Sequence, residues 1–139
     1  MRILAIDYGD ARTGLCRSDP MGVLAGEATV LREWDPRRLA ERIVAEARAI
    51  GAERLVLGLP RNMDGTEGPR AEKARELKAL LEELGAPEVV LWDERRTTVE
   101  AHAILHAVGR REKRHRENVD AVAASLILEG YLAAINGGV

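Results

Sequence analysis

Acidic residues in three distant segments of the chain could together carry out chemistry. Asp7 follows one short apolar run, Asp93 and Glu94 follow another, and Asp120 lies near the start of an apolar stretch close to the C-terminus. Carboxylates within a few ångströms repel one another unless cations lie between them. Oxygen-only ligands suit Mg²⁺ or Mn²⁺. Two such ions about 4 Å apart can activate a water and stabilise the leaving oxygen in phosphodiester hydrolysis.

This two-metal hypothesis gives each acid a role. Asp7 would bridge both ions, and Glu94 and Asp120 would each complete one coordination shell. Asp93 is a weaker ligand candidate, because neighbouring residues on a strand point to opposite faces of the sheet. Each acid also has a structural explanation. Asp7 could bond turn amides, Glu94 could pair with one of the two arginines that follow it, and Asp120 could lie favourably in a helix dipole. The hypothesis therefore depends on three segments meeting.

Five short apolar segments are typical of strands, at residues 3–6, 13–18, 22–31, 55–59 and 88–92. Strands separated by helices pair in parallel through right-handed crossovers, so the first, fourth and fifth should be parallel. Tight turns join the first three strands into an antiparallel meander. The expected fold class is α/β, with a mixed five-stranded sheet flanked by helices. Ligands bind at the carboxyl ends of parallel strands, an edge that would carry Asp7, residues 60–68 and Asp93-Glu94.

Four helices are predicted around this sheet. Asp35 is a predicted N-cap with Pro36 at the first helical position, and Gly51 ends that helix. The others are expected from Pro69 to Gly85, at about 98–108, and at about 118–135 after a charged loop at 109–117. On the last helix one face carries Asp120, Ala123 or Ala124, Ile127 and Tyr131. Because Ile127 is apolar, this face should lie against the sheet. Without repeats or linkers, residues 1–139 are predicted to form a single domain.

Composition restricts how nucleic acid could be held. The 139 residues are 46% hydrophobic and 32% charged, with a formal net charge of −2, so attraction over the whole surface is excluded and local clusters must do the binding. The densest basic stretch contains Arg110, Arg111, Lys113, Arg114 and Arg116. The competing interpretation of this stretch is a solvated surface loop. Further arginines are expected on or near the acidic edge of the sheet: Arg61, Arg70, Arg95 and Arg96. Arg12 is expected in the first turn, from which it could reach that edge.

Other features narrow the class of protein. Cys16 is the only cysteine, which excludes an internal disulfide and fits a reducing compartment. The first apolar run is too short for a signal peptide, and Glu129 interrupts the last one, so no membrane partner and a cytoplasmic location are expected. His102 and His106 lie four apart on a predicted helix, but no further zinc ligand is evident.

Several motifs are also those of a known family. They are DYG (7–9), VLGLP (56–60), NMDGT (62–66), GPRA (68–71), DER (93–95) with TT (97–98), and VDAVAA (119–124). Together they resemble the RuvX/YqgF family over essentially the whole chain. Arg17 and Arg96 depart from that pattern, since similar sequences often have smaller or apolar residues there. Neither departure touches the carboxylates.

The resemblance implies a ribonuclease H-like fold related to the Holliday-junction resolvase RuvC. It also implies a metal-dependent nuclease that matures the 5′ end of pre-16S rRNA, with junction resolution as an alternative. The family's acidic residues carry over onto Asp7, Glu94 and Asp120. The expected cofactor is Mg²⁺ or Mn²⁺, and the expected partner is structured RNA or branched DNA. A homodimer is a possible assembly, because a four-way junction presents two symmetric cuts.

Two further functions compete with the nuclease hypothesis. The DYG segment and Gly14 also resemble the phosphate loop of actin-like ATPases, although those enzymes need two related lobes and this chain has residues for one. A non-catalytic nucleic-acid-binding or ribosome-assembly module could keep the same fold. Metal-independent binding that survives loss of Asp7 or Glu94 would favour the module.

Overall fold

The sheet that organises the molecule has five strands in the order β3-β2-β1-β4-β5. A computed structural model of the chain describes residues 1–96 and 116–137. The strands are β1 (Ile3–Asp7), β2 (Arg12–Ser18), β3 (Ala25–Arg32), β4 (Arg54–Leu59) and β5 (Glu88–Asp93). β1 pairs in parallel with β4 and β4 with β5, whereas β2 is antiparallel to both of its neighbours. The predicted mixed sheet is therefore confirmed.

Within the described residues, three helices flank the sheet, α1 (Pro36–Ile50), α2 (Pro69–Glu83) and α3 (Arg116–Ile135). A 3-10 turn at Glu94–Arg96 follows β5 directly. The helix predicted at about 98–108 lies outside the described residues, as do His102 and His106. None of the helices that the structure describes is long and apolar enough to cross a membrane.

The ends of α1 follow the predicted capping chemistry. The Asp35 carboxylate accepts a hydrogen bond of 3.2 Å from the backbone N–H of Arg38. Pro36 occupies the first turn, where its missing N–H is not needed. Gly51 ends the helix in the left-handed region at φ +71°, which costs a glycine little.

The predicted third strand began too early. It was expected at 22–31, but β3 begins at Ala25. The Asp19 carboxylate explains the difference, because it accepts hydrogen bonds from the backbone N–H groups of Met21, Val23 and Leu24 at 3.2, 2.7 and 2.7 Å. These bonds wrap residues 19–24 into a loop, although the apolar pair Val23-Leu24 resembles the start of a strand.

Two other boundaries also need correction. The last helix begins at Arg116, not at Asn118, so Arg116 and Glu117 are helical and do not belong to the predicted charged loop. Arg12 was placed in the first turn, but it is the first residue of β2 and lies opposite Arg32 of β3. β2 therefore starts one residue earlier than the predicted 13–18.

Alternation along the strands assigns residues to the two faces of the sheet. Leu4, Ile6 and Leu57 belong to the core cluster that α1 and α2 cover. Ile3, Ala5 and Val56 belong to the cluster that α3 covers. Continuing the same alternation puts Asp7 and Gly58 on the α3 face, whereas Asp93 falls on the opposite face.

The direction of α3 follows from its contacts with β4. Tyr131 accepts a hydrogen bond of 2.8 Å through its hydroxyl from Arg54, the first residue of β4. Earlier in α3, Ile127 lies against Gly58, near the end of the same strand. α3 therefore runs antiparallel to β4, and its N-terminal turns extend toward the carboxyl edge of the parallel strands.

Candidate active site at the carboxyl edge of the sheet

Two of the predicted carboxylates meet at this edge. Asp7 ends β1, and Glu94 follows β5 at the start of the 3-10 turn. Both are half-buried and both line one pocket with an empty volume of about 260 Å³, which includes part of the open solvent. The remaining lining residues are Tyr8, Gly58, Pro60, Arg70 and Ala74. Two segments that are far apart in the sequence thus bring two acids to one cleft at the carboxyl edge of the parallel strands.

Gly58 makes room for this arrangement. A Cβ built on Gly58 would lie 2.6 Å from Oε1 of Glu94 and 2.8 Å from Cδ1 of Ile127. Real Cβ atoms do not approach other atoms so closely, so any side chain here would displace the Glu94 carboxylate and the end of the Ile127 side chain. The parallel register places Ile6 beside Leu57, which puts Asp7 next to Gly58. The bare backbone of Gly58 is therefore the surface over which the Glu94 carboxylate lies.

Asp120 comes from the third segment. It lies in α3 about two helical turns before Ile127, on the part of the helix that extends toward the acidic edge. The predicted inner face of α3 is confirmed at Ala124, Ile127 and Tyr131, all of which are buried. The side chain of Asp120 lies outside the described part of the chain, so its meeting with Asp7 stays a prediction. Among the side chains that are described, no three His, Cys, Asp or Glu residues form a metal-binding group.

Asp93 is engaged by arginines on the other side of β5. Its carboxylate accepts hydrogen bonds from Nε and Nη2 of Arg95 at 3.1 and 2.6 Å, and from the Arg95 backbone N–H at 2.9 Å. Nη1 of Arg61 lies 3.9 Å away. The hydrogen bond from the Arg95 side chain is the main reason that the pKa of Asp93 falls below its usual range. Asp93 thus fixes the 3-10 turn that contains Glu94.

The same ionic network continues into the 60–68 connection. Arg61 lies 3.5 Å from the Glu67 carboxylate, which also pairs with Nε and Nη2 of Arg75 on α2 at 2.6 Å each. The hydrogen bond from Arg75 lowers the pKa of Glu67. The network therefore ties α2, the connection and the end of β5 together beside the pocket.

The tip of that connection is held by its own hydrogen bonds. The backbone N–H of Asn62 donates to the carbonyl of Thr66 at 2.9 Å, and the Thr66 hydroxyl donates to Asp64 at 2.6 Å. That hydroxyl bond is the main reason that the pKa of Asp64 is lowered. The Arg95 guanidinium lies next to Gly65, whose φ of +90° suits a glycine. The connection is thus an ordered loop that borders the site.

The arginines predicted to bind nucleic acid fall into different surroundings. Arg61 and Arg95 are held by acidic partners in the network. The Arg96 guanidinium stacks over the Trp92 ring, 4.2 Å from its centroid. Arg12 is half-buried at the start of β2. Arg110, Arg111, Lys113 and Arg114 lie outside the described residues, and Arg116 is described only as the first residue of α3.

Cys16 is a packing residue in the core of the protein. It is fully buried in the cluster under α3, where the Ser125 hydroxyl donates to its sulfur at 3.5 Å. Burial raises the pKa of the thiol, which keeps it protonated and unreactive.

The sequence matches the profile of a protein family over almost its whole length. Its profile, described as "RuvX: Holliday junction resolvase", matches residues 1–134. The chain belongs to the RuvX family.

Curated relatives of this RuvX chain share one name. The protein "Putative pre-16S rRNA nuclease" of Ruminiclostridium cellulolyticum is 40% identical over 138 residues, which are 99% of this chain and 97% of the relative. The protein of the same name in Halothermothrix orenii is 41% identical over 132 residues, covering 95% of this chain and 94% of the relative.

Solved structures confirm the ribonuclease H-like fold class. The RuvC of Thermus thermophilus, solved in complex with a Holliday junction substrate, superposes with a TM-score of 0.61 at 16% identity, covering 99% of this chain and 96% of that one. The fowlpox virus resolvase, solved with Holliday junction DNA, gives a TM-score of 0.58 at 9% identity, covering 97% and 99%. At such identities the likeness concerns the fold alone.

Sequence reasoning missed the role of Gly58 in this RuvX chain. A signal was present, since an isolated glycine within an apolar strand often marks a close approach of other atoms. The identity of the approaching group could not be predicted, because Glu94 arrives from another strand. The ionic network was missed for the same reason. It joins the loop at 60–68 to α2 and to the end of β5, and only the fold brings these segments together.

Proposed function

We propose that this chain is a metal-dependent endonuclease that hydrolyses phosphodiester bonds in structured RNA, with the 5′ end of pre-16S rRNA as its substrate. The names of relatives that are about 40% identical over nearly the whole chain support the RNA substrate. Membership of the RuvX family supports phosphodiester cleavage as the reaction.

The observation that carries the proposal is the meeting of Asp7 and Glu94 in one cleft over the bare backbone of Gly58. These side chains offer only carboxylate oxygens, which are the ligands that Mg²⁺ and Mn²⁺ prefer. Among the described residues that line the cleft, none has a sulfur or an imidazole, so these donors favour hard cations over zinc. The residues present therefore fit a divalent metal site.

Each acid has a proposed role at this site. Asp7 would bridge two ions, and Glu94 and Asp120 would each complete the ligands of one of them. Divalent ions bound there supply an activated water and charge stabilisation at the leaving oxygen. Asp93 acts indirectly, because its bonds with Arg95 hold the turn from which Glu94 projects. The proposed catalytic step would thus depend on three carboxylates, one from the end of β1, one from the turn after β5 and one from α3.

Cleavage of branched DNA is the second candidate activity. The description of the family as a Holliday junction resolvase favours it. Such an enzyme would need two active sites for the two symmetric cuts, so this candidate predicts a homodimer. Oligomeric state and substrate preference can therefore be tested together.

One experiment separates these activities. Purified protein is incubated with a precursor RNA that carries the 5′ leader of 16S rRNA and with a four-way DNA junction, each in Mg²⁺, in Mn²⁺ and in chelator. We expect metal-dependent cleavage at defined positions in the RNA. Preferential, paired cleavage of the junction by a dimer would support the second candidate. Binding without cleavage in every metal, persisting in chelator, would support a non-catalytic module.

A pair of aspartate variants tests the site. Asp7→Asn should reduce cleavage by about 100-fold or more, because several kcal/mol of transition-state stabilisation are lost. Asp10→Asn is the matched control, since Asp10 lies three residues after Asp7 in the β1–β2 turn but is exposed and paired with Lys73 at 2.9 Å. Circular dichroism checks that both variants fold. Full activity in Asp7→Asn would overturn the proposed function.

A further inference from the structure

The pocket that Asp7 and Glu94 line is also lined by a cationic side chain. Among the described residues that line it, Arg70 is the one cation. Arg70 lies in the first turn of α2, directly after Pro69, and its side chain is exposed. A guanidinium beside two carboxylates at the mouth of a cleft requires an explanation, since neither the two-metal scheme nor the basic stretch at 110–116 uses it.

The contacts of Arg70 with the described residues leave most of its donors available. Nη2 donates to the backbone carbonyl of Tyr8 at 3.4 Å, a long bond that orients the side chain. In the part of the chain whose side chains are described, Arg70 has no ion pair within 4.0 Å. Asp10 is the nearby acid that could have neutralised it, but Asp10 is bound by Lys73 at 2.9 Å. The same pair lowers the pKa of Asp10 and keeps it ionised.

The lack of an ion pair among the described side chains distinguishes Arg70 from the other arginines at the carboxyl edge of the sheet. Arg61 is paired with Glu67, and Arg95 is paired with Asp93. Arg96 stacks on the Trp92 ring. Those three side chains therefore support the structure of the edge. Arg70 combines exposure, a tether to the β1–β2 turn and a place on the wall of the acidic pocket.

We infer that Arg70 binds a non-bridging phosphate oxygen of the nucleic-acid backbone at the mouth of the pocket. A guanidinium presents paired N–H donors that match two oxygens of one phosphate, which a lysine ammonium cannot do. Such a contact holds the backbone in register with Asp7 and Glu94 and offsets their repulsion of the substrate. It carries no base information, so it suits an enzyme that recognises shape. This inference rests on the proposed nuclease function.

Binding measurements test the contact without relying on turnover. In an Asp7→Asn background, affinity for a labelled RNA hairpin with a single-stranded 5′ extension is measured across a series of salt concentrations. Loss of one phosphate contact should reduce the slope of log K against log salt by about 0.7–0.9. We expect that reduction for Arg70→Ala and an unchanged slope for Arg70→Lys. Lys78→Ala removes one charge from the same helix, at a residue paired with Glu82, and should leave the slope unchanged.

Kinetics in the Asp7-containing protein give the second measurement. Arg70→Ala should raise KM and lower kcat/KM by about tenfold to 100-fold, consistent with a lost charge-assisted bond. Arg70→Lys should recover most of KM but less of kcat, because the paired donors are lost. A thermal melt shows whether the bond to Tyr8 has a purely structural role. If Arg70→Ala destabilises the fold, Arg70→Gln and Arg70→Lys provide the comparison.

The outcomes separate this inference from the proposed function. A wild-type protein that neither binds nor cuts nucleic acid removes both. A wild-type protein that cuts RNA, together with an Arg70→Ala variant whose salt slope and KM match those of Lys78→Ala, overturns the role of Arg70 alone. The proposed nuclease function would then stand.

Discussion

At the scale of single residues, the absence of a side chain at Gly58 is as important as the presence of the carboxylates. Glycine within a strand costs about 0.5–1 kcal/mol relative to alanine, because the unfolded chain loses more freedom. Here it lets the Glu94 carboxylate and Ile127 both approach the backbone of β4. The local cost in stability is therefore linked to the geometry of the site.

Replacing this glycine tests that link. In Gly58→Ala the new methyl group would lie 2.6 Å from Oε1 of Glu94, so the carboxylate must move. A displacement of about 1 Å at a reacting centre can cost about 100-fold in rate, so we expect a fall in kcat of that order. Steady-state cleavage of the precursor RNA measures the effect, and a thermal melt measures stability.

Gly130→Ala is the matched control for this substitution. Its Cβ would lie 3.3 Å from the Trp92 ring, on the same face of the sheet but away from Glu94. It should therefore change stability without a comparable loss of kcat. Equal rates for Gly58→Ala and the wild type would show that Glu94 does not need its observed position.

At the scale of secondary-structure elements, the sequence predicted the ends of α1 correctly. The Asp35 cap and the Gly51 terminus of α1 were correct because each acts within a few residues. The start of β3 was wrong because three amide bonds to Asp19 outweigh the strand preference of Val23-Leu24. The role of Asp93 stayed open in the sequence, since Arg95 lies only two residues away but Arg61 is brought to it by the loop after β4. Contacts between elements therefore had to be observed.

The junction of β5 with the 3-10 turn gives a prediction at this scale. Asp93→Asn removes the charge that holds Arg95 and Arg61, so the turn that carries Glu94 should loosen. Loss of such an indirect support typically costs about tenfold to 100-fold in metal affinity or activity, which we expect here. Metal titration by calorimetry and cleavage kinetics together measure it.

Glu88→Gln is the control at the other end of the same strand. Glu88 pairs with Arg54 at 2.9 Å, far from the acidic edge. Its loss should change neither metal affinity nor kcat beyond about twofold, because exposed ion pairs contribute little. If Asp93→Asn behaves like Glu88→Gln, Asp93 has no role in positioning Glu94.

At the scale of the whole molecule, the site depends on long-range topology. β1 and β4 lie side by side although 46 residues separate Ile3–Asp7 from Arg54–Leu59, and α3 returns from the end of the chain to run back along β4. Asp7 and Glu94 thus meet in one cleft of a protein whose formal net charge is −2. Nucleic acid must therefore be attracted by local cations, because the overall field does not favour it.

The basic stretch before α3 supplies the largest such cluster in the sequence. Replacing Arg110, Arg111, Lys113 and Arg114 together by glutamine should weaken RNA binding strongly. Each lost phosphate contact should also reduce the salt slope by about 0.7–0.9. The catalytic rate at saturating substrate should change much less, because Asp7 and Glu94 remain in place. Affinity measured across a salt series, together with kcat, distinguishes these two effects.

A control of equal charge decides whether position or net charge matters. The control variant loses the same amount of positive charge. In it, glutamine replaces Arg37, Arg38 and Arg48 on α1 and Lys78 on α2. If position matters, this variant keeps most of the wild-type affinity and slope, because its cations lie on the helices that cover the opposite face from α3. Similar losses in both variants would mean that binding follows net charge. The basic stretch would then be a solvated surface with no particular role in holding the substrate.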